Sequence, residues 1–316
     1  MPNGSIIVTG ATGSMGRAAV RALAARGESV IAVCRNPEKG RQVVNAVLAE
    51  SPGASIELAC ADLGSIASVK ALADSLEGRR IKGLFNNAGT LLRDYTLSED
   101  GLEMCVAVNF LAPFILCNKI GAMMPEGSHI VNMVSLTTRF PSIDENFFRK
   151  RKEDYSQLGT YAESKLALML FSIEYARRHP ELHVNVADPG IVNSNMISMG
   201  RWFDPLADIF FRPFCKSPEK GVAPALRALD ADCTGKLFVG SKIKDIPAKY
   251  NKPSEACWLW DETIKILIHN QYEENTNYCN PAASCSLHCT GQGSQDQRPG
   301  ILPGQGRQCP RVQQQL

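Results

Sequence analysis

Short, almost continuously apolar runs alternate along this chain with longer segments whose apolar residues recur at helical spacing, and this alternation constrains the fold most. The strand-length runs are Ser5–Thr9, Ser29–Cys34, Ser55–Cys60, Ile81–Asn86, His129–Val134, His183–Ala187 and Lys236–Val239. Between them lie "GRAAVRALAARG", "SIASVKALADSL" and "SKLALMLFSIEYARR". Strands apolar on both faces and separated by helices predict a parallel sheet covered on both sides. The expected fold class is therefore α/β, one doubly wound parallel sheet with helices on both faces. Gly27, just past the first helix, is a plausible stop for it.

Composition changes near Tyr272. Residues 1–272 are expected to form the folded domain. From Glu273 to Leu316 the chain is rich in Gln, Gly, Pro, Ser and Asn, with no window that could bury a helix or strand face. Such a tail cannot offset its ordering entropy and is expected to be disordered. Its Cys279, Cys285, His288, Cys289 and Cys309 match no pair of zinc-knuckle spacings, so no metal site is expected. Of the 11 cysteines, Cys34, Cys60, Cys105, Cys117, Cys215, Cys233 and Cys257 precede the tail. Scattered and partly set in apolar runs, they read as reduced, buried thiols rather than a disulfide framework. A formal net charge of +2 gives no electrostatic reason to expect a nucleic acid partner. With no leader or apolar run of ~20 residues evident, the expectation is a cytoplasmic protein without a transmembrane anchor.

The first strand runs into "TGATGSMG", Thr9 to Gly16, directly before an amphipathic helix. That is the position of a dinucleotide loop in a Rossmann-type fold. Gly10 permits a tight turn and Gly16 lets the helix pack closely on the sheet. Small residues between them, Thr12, Gly13, Ser14 and Met15 among them, let backbone N–H groups approach a pyrophosphate at the positive helix end. At the end of the second strand an acid would hold a ribose 2′-hydroxyl, whereas arginine favours a 2′-phosphate. Here the strand ends in Arg35-Asn36, and Arg17 could add a second positive group. NADP(H) is therefore expected over NAD(H).

"NNAG" at Asn86–Gly89 and "YAESK" at Tyr161–Lys165, with the glycine loop, resemble the short-chain dehydrogenase/reductase family. "SKLAL", "DPGIV" at Asp188–Val192, "KSPEKG" at Lys216–Gly221 and the long insertion before Tyr161 are similar to its retinol-dehydrogenase-like branch. The resemblance covers roughly Ser5 to Ile268. Lys165 lies one helical turn after Tyr161 on the same face. Its ammonium, with the charge of an oxidised nicotinamide, would favour the phenolate and bring Tyr161 toward working pH. Tyr161 would then exchange a proton with the substrate oxygen as hydride is transferred. Tyr155 has Gly159 at the corresponding position and cannot form that pair. The resemblance further implies that Ser135 hydrogen-bonds the substrate oxygen. It gives Asn109 the role of positioning Lys165 and a relay water. Asp62 and Leu63 would border the adenine, and Asn86, Asn87, Ala88 and Gly89 would line the cofactor. Pro189, Gly190, Val192 and Ser194 would form the loop under the nicotinamide.

Two features depart from the pattern. The glycines at 10, 13 and 16 are spaced G-x-x-G-x-x-G, as in nucleotide-sugar epimerases, with Ser14 where the usual G-x-x-x-G-x-G loop has glycine. Ser194 stands where the family usually has threonine. "MISMGRWFDPLADIFFRPFC" carries Trp202, Phe203, Ile209, Phe210, Phe211 and Phe214 where relatives build a substrate lid. It reads equally as an apolar pocket for a carbonyl or alcohol, as core packing, or as a membrane or subunit contact. The basic cluster Arg149–Lys152 reads as a solvated face. The leading expectation is an NADP(H)-dependent carbonyl reductase or alcohol dehydrogenase, with a homodimer as a possible assembly. The alternatives are a catalytically idle dinucleotide-binding scaffold and a nucleotide-sugar epimerase.

Overall fold

The computed structural model describes residues 3–139, 141–192 and 216–277. In chain order these form β1 (Ser5–Thr9), α1 (Ser14–Ala25), β2 (Ser29–Cys34), α2 (Pro37–Glu50), β3 (Ile56–Cys60), α3 (Ile66–Ser75) and β4 (Ile81–Asn86). Then come α4 (Met104–Gly121), β5 (His129–Met133), α5 (Gln157–Arg178), β6 (His183–Asp188), α6 (Pro218–Leu229), β7 (Lys236–Val239), β8 (Lys242–Asp245) and α7 (Pro253–Asn277). The strands make one sheet in the order β3-β2-β1-β4-β5-β6-β7-β8, parallel except for β8. Residues Met1–Trp260 form one compact unit that contains the whole sheet; Asp261–Leu316 form a second.

All seven strand-length runs pair as strands, with ends shifted by at most one residue. β8 was not anticipated. "KIKD" is exposed at every position, so it offers no apolar alternation, and it pairs only as the charged edge of the sheet. The central strands β4 and β5 are buried throughout, which accounts for their continuous hydrophobicity. On one face, Ala19 and Leu23 of α1, Val47 of α2 and Ala225 of α6 pack with Ile6, Val8 and Phe85 of the sheet. Helices α3, α4 and α5 pack together in the other layer.

Helix starts follow the expected chemistry. Asn36 caps α2 by accepting from Lys39 N at 2.9 Å, Ser65 caps α3, Ser156 caps α5 and Ser217 caps α6. Helix α1 is the exception: it begins at Gly13 with no side-chain cap. The insertion before α5 is not wholly a solvated face. Phe147 and Phe148 are buried with their rings 5.6 Å and 6.0 Å from that of Phe110, and Lys150 pairs with Glu163 of α5. Helix α4 is long and apolar enough to cross a membrane by composition, and 78% of it is buried inside the protein. Helix α7 continues past Tyr272 to Asn277. The aromatic-rich segment Met196–Cys215, Ser194, and the Cys/Gln-rich tail from 278 lie outside the described residues.

Candidate active site

The sheet reverses its winding between β1 and β4, and a crevice for ligands forms beyond the C-terminal strand ends at such a point. Thr9, at the end of β1, fastens this opening. Its buried hydroxyl accepts from Asn87 N and Ala88 N, each at 3.0 Å, and its carbonyl accepts from Asn87 Nδ2 at 2.8 Å. The glycine loop and the NNAG turn are thereby held against each other. Gly10 has φ +68°, and a Cβ there would stand 2.9 Å from Ala88 Cα. A Cβ on Gly16 would stand 2.1 Å from the Gly10 carbonyl oxygen, so only glycine fits the close turn.

The loop path follows from these contacts. Gly13 N donates to Gly10 O at 3.0 Å and Ala11 N to Val33 O at 2.9 Å, closing the turn onto β2. Gly13 has ordinary extended backbone angles, and Ser14 is simply the first helical residue. The shifted glycine therefore still yields a tight turn ahead of an uncapped helix start. The amides there face no side-chain acceptor, which fits a pyrophosphate held at the first turn of α1. Thr12, Ser14 and Met15 are half-buried in this loop. A Cβ on Gly221 of α6 would lie 3.3 Å from Met15 Sδ and 2.5 Å from Val192, so the glycine loop and the Pro189–Val192 loop meet there.

Arg35 and Arg17 are exposed, and neither makes an ion pair among the described residues. Asp62 is exposed at the end of β3, and its carboxylate accepts from Gly64 N at 2.9 Å, shaping the turn that holds Leu63. Asn87 keeps a buried Oδ1 without a partner, an acceptor-ready atom beside the crevice. Asn86 differs from the expectation that it lines the cofactor. Its side chain is buried in the sheet, donating to Asn132 Oδ1 at 2.8 Å, and Asn132 in turn donates to Ser172 at 2.8 Å.

The four predicted catalytic side chains come together around Gly89 and the end of β5. Asn109 lies in a π-helical stretch, Ala107–Leu111, in the middle of α4. Such widened turns re-aim side chains and are frequent at functional sites. Asn109 is fully buried; its Oδ1 accepts from Thr90 N at 2.7 Å, and its Nδ2 donates to Thr90 O at 2.9 Å and Ser164 Oγ at 3.0 Å. A Cβ on Gly89 would lie 3.4 Å from both Asn109 Oδ1 and Lys165 Nζ. Lys165 is 3% exposed and donates to the Met133 carbonyl at 2.8 Å. The Ser135 hydroxyl acts on the Tyr161 phenol in the direction that favours the phenolate. The Ser135 carbonyl accepts from Thr138 Oγ1 at 2.9 Å, so Thr138 has no proton left and accepts from Tyr250 Oη at 3.2 Å.

Burial pushes the Tyr161 phenol above its ordinary range; Ser135 opposes this, while Cys105 and Asp188 add to it. Burial lowers Lys165 to about 8, with Cys105 acting in the opposite direction. In the protein by itself, Lys165 is not among the groups that shift the Tyr161 phenol. The lysine's donor is turned to the Met133 carbonyl. Tyr155 is engaged elsewhere, donating to the Leu92 carbonyl.

Gly190 has φ +72°, and its N–H donates to Asp188 Oδ1 at 2.8 Å. Lys216 Nζ donates to Pro189 O at 3.1 Å and Lys216 N to Ile191 O at 2.9 Å, fixing both ends of the Pro189–Val192 loop. Sequence reasoning gave no role to Thr9, Thr90, Ser164, Thr138 or Tyr250. A hydroxyl ending a strand and a Ser three residues after the key tyrosine were the only local signals.

The sequence model of the short chain dehydrogenase family matches residues 5–201. The chain belongs to that family. Human retinol dehydrogenase 13 is 30% identical over 284 residues, covering 84% of this chain and 85% of the relative. Mouse polyprenol dehydrogenase is 33% identical over 282 residues, covering 84% of each. The solved short-chain dehydrogenase of Sphingobium yanoikuyae, in complex with NADPH, shares the fold with a TM-score of 0.60. It is 18% identical, over 90% of this chain and 99% of that one. This short-chain dehydrogenase is an oxidoreductase of the retinol-dehydrogenase-like branch.

Proposed function

We propose that this short-chain dehydrogenase transfers hydride between NADP(H) and an apolar ketone, aldehyde or alcohol. The observation that carries the reading is the convergence of Lys165 and Asn109 on Gly89, with the Ser135 hydroxyl acting on the Tyr161 phenol at the crevice. The nicotinamide would supply or accept the hydride. Tyr161, protonated at neutral pH because burial raises it, holds the proton that a carbonyl oxygen takes up on reduction. Ser135 offers that oxygen a second hydrogen bond, aimed where negative charge develops. Lys165 and Asn109 are the positively charged and amide groups through which the proton would be replaced. Gly10, Gly13, Gly16 and the first amides of α1 would hold the pyrophosphate, and Asp62, Leu63 and Asn87–Gly89 the adenosine side and ribose. Pro189, Gly190 and Val192 would floor the nicotinamide. The exposed guanidinium of Arg35, without an ion pair among the described residues, with Arg17 nearby in sequence to the loop, supports a 2′-phosphate and so NADP(H).

The apolar substrate rests on two supports. Ile191 is 64% exposed in the loop leading to Met196–Cys215, whose sequence is rich in aromatic residues. The two relatives described above are named for retinol and polyprenol, both long apolar alcohols. Two measurements test the reading. Tyr161→Phe is expected to lower turnover of long-chain carbonyls and alcohols by about 10²-fold or more while NADPH affinity holds; unchanged turnover refutes the mechanism. Fluorescence titration should give tighter binding of NADPH than NADH, and a preference for NADH refutes the role of Arg35.

A further inference from the structure

Cys34 and Cys60 end the neighbouring parallel strands β2 and β3 and are in-register partners. Paired residues of adjacent strands point to the same face and lie about 4.8 Å apart, inside the ~4.4–6.8 Å Cα separation that a disulfide spans. Burial and then the neighbouring Cys60 push the Cys34 thiol up, so the two sulfurs act on each other. They differ in access. Cys34 is 3% exposed and donates to the Asn36 carbonyl at 3.1 Å, whereas Cys60 is open to solvent. A Cβ on Gly40 would stand 2.6 Å from Cys34 Sγ, so α2 closes over that sulfur and leaves Cys60 as its neighbour. Cys60 thus departs from the buried, inert thiols expected from the sequence.

We propose that Cys34 and Cys60 are a dithiol that a peroxide oxidises to a disulfide across β2 and β3, weakening dinucleotide binding. The Cys60 thiol gives two electrons to hydrogen peroxide, becoming a sulfenic acid as water leaves. The Cys34 thiol then attacks that sulfur, forming the S–S bond and releasing a second water. A thiol reductant reverses the step by exchange. The coupling to the cofactor rests on the function proposed above. Arg35 follows Cys34 directly, Asp62 lies two residues beyond Cys60, and Ala61 N donates to the Cys34 carbonyl at 3.0 Å. Closure draws the paired Cβ atoms to about 3.8 Å, moving the strand ends that carry both residues.

The test treats the full-length, reduced protein with stoichiometric hydrogen peroxide, then maps it with trypsin under non-reducing conditions. The expected product links the peptide 27–35 to the peptide 42–70 and disappears with dithiothreitol. Cys60→Ser, an exposed substitution, abolishes it. NADPH binding is expected to weaken about tenfold in the oxidised wild type and to hold in peroxide-treated Cys60→Ser. Absence of the linked peptide overturns the dithiol. A linked peptide with unchanged affinity, or equal loss in Cys60→Ser, overturns the coupling. A reduced protein that binds neither NADPH nor NADH refutes the cofactor assignment and the coupling together, while the mass measurement still decides the dithiol.

Discussion

Burial acts on Tyr161 and Lys165 in opposite directions on the pH scale but favours the neutral form of both. The phenol goes up and the amine comes down to about 8. Ser135 is the group that favours the phenolate, so its removal has a defined sign. Reduction needs the protonated phenol and is lost as pH rises through the Tyr161 pKa; oxidation needs the phenolate and is gained there. Ser135→Ala raises that pKa further, so the rising limb of alcohol oxidation should move to higher pH. The rate of carbonyl reduction should fall about 10²-fold from loss of the oxyanion donor. Paired pH–rate profiles check this, and an unmoved oxidation limb contradicts the assignment. The one-turn spacing of Tyr161 and Lys165 made the pair legible in the sequence. The anchors of the site were not, because the Met133 carbonyl holds Lys165, Thr90 holds Asn109 and the Thr138–Tyr250 pair holds the Ser135 carbonyl, all through long-range or backbone bonds.

Elements decide where these groups stand. The Thr9–Gly16 stretch was readable as a strand–turn–helix, yet its glycine spacing fitted two enzyme classes equally. Spacing records which residues are small, not where the turn closes. The contact that settles the geometry, Gly16 against the Gly10 carbonyl, pairs residues six apart through a backbone atom. It also gives a prediction. Gly16→Ala places a methyl where the Gly10 oxygen stands, and neither backbone can yield without opening the turn. NADPH affinity should drop by at least about tenfold, with helix content by circular dichroism retained because alanine favours the helix. Undiminished affinity would mean that the turn does not hold the pyrophosphate. The π stretch carrying Asn109 was invisible in the sequence, since "AVNFL" has ordinary helical composition. β8 escaped for the opposite reason, having no apolar face to betray it.

Across the whole molecule, the alternation of apolar runs and amphipathic segments yielded the sheet because strands buried on both faces have few other places to go. That same burial leaves a titratable group at the far end of the sheet from the crevice. His129 and His183 begin β5 and β6, are in-register partners, and have rings 4.9 Å apart. His129 is 4% exposed with Nδ1 unpartnered, and burial, reinforced by His183, lowers it to about 4. Its folded value lies below the ordinary 6.5, so between pH 6.5 and 4 the unfolded chain binds the proton that the folded chain refuses. Stability must rise with pH across that window and fall on acidification. The loss attributable to His129 is about 2 kcal/mol at pH 5 and approaches about 3 kcal/mol below pH 4. His129→Gln, neutral throughout, should flatten this slope, so that urea midpoints of wild type and variant converge or cross as pH falls from 7 to 5. Parallel slopes in the two proteins would show that acid sensitivity originates in other groups.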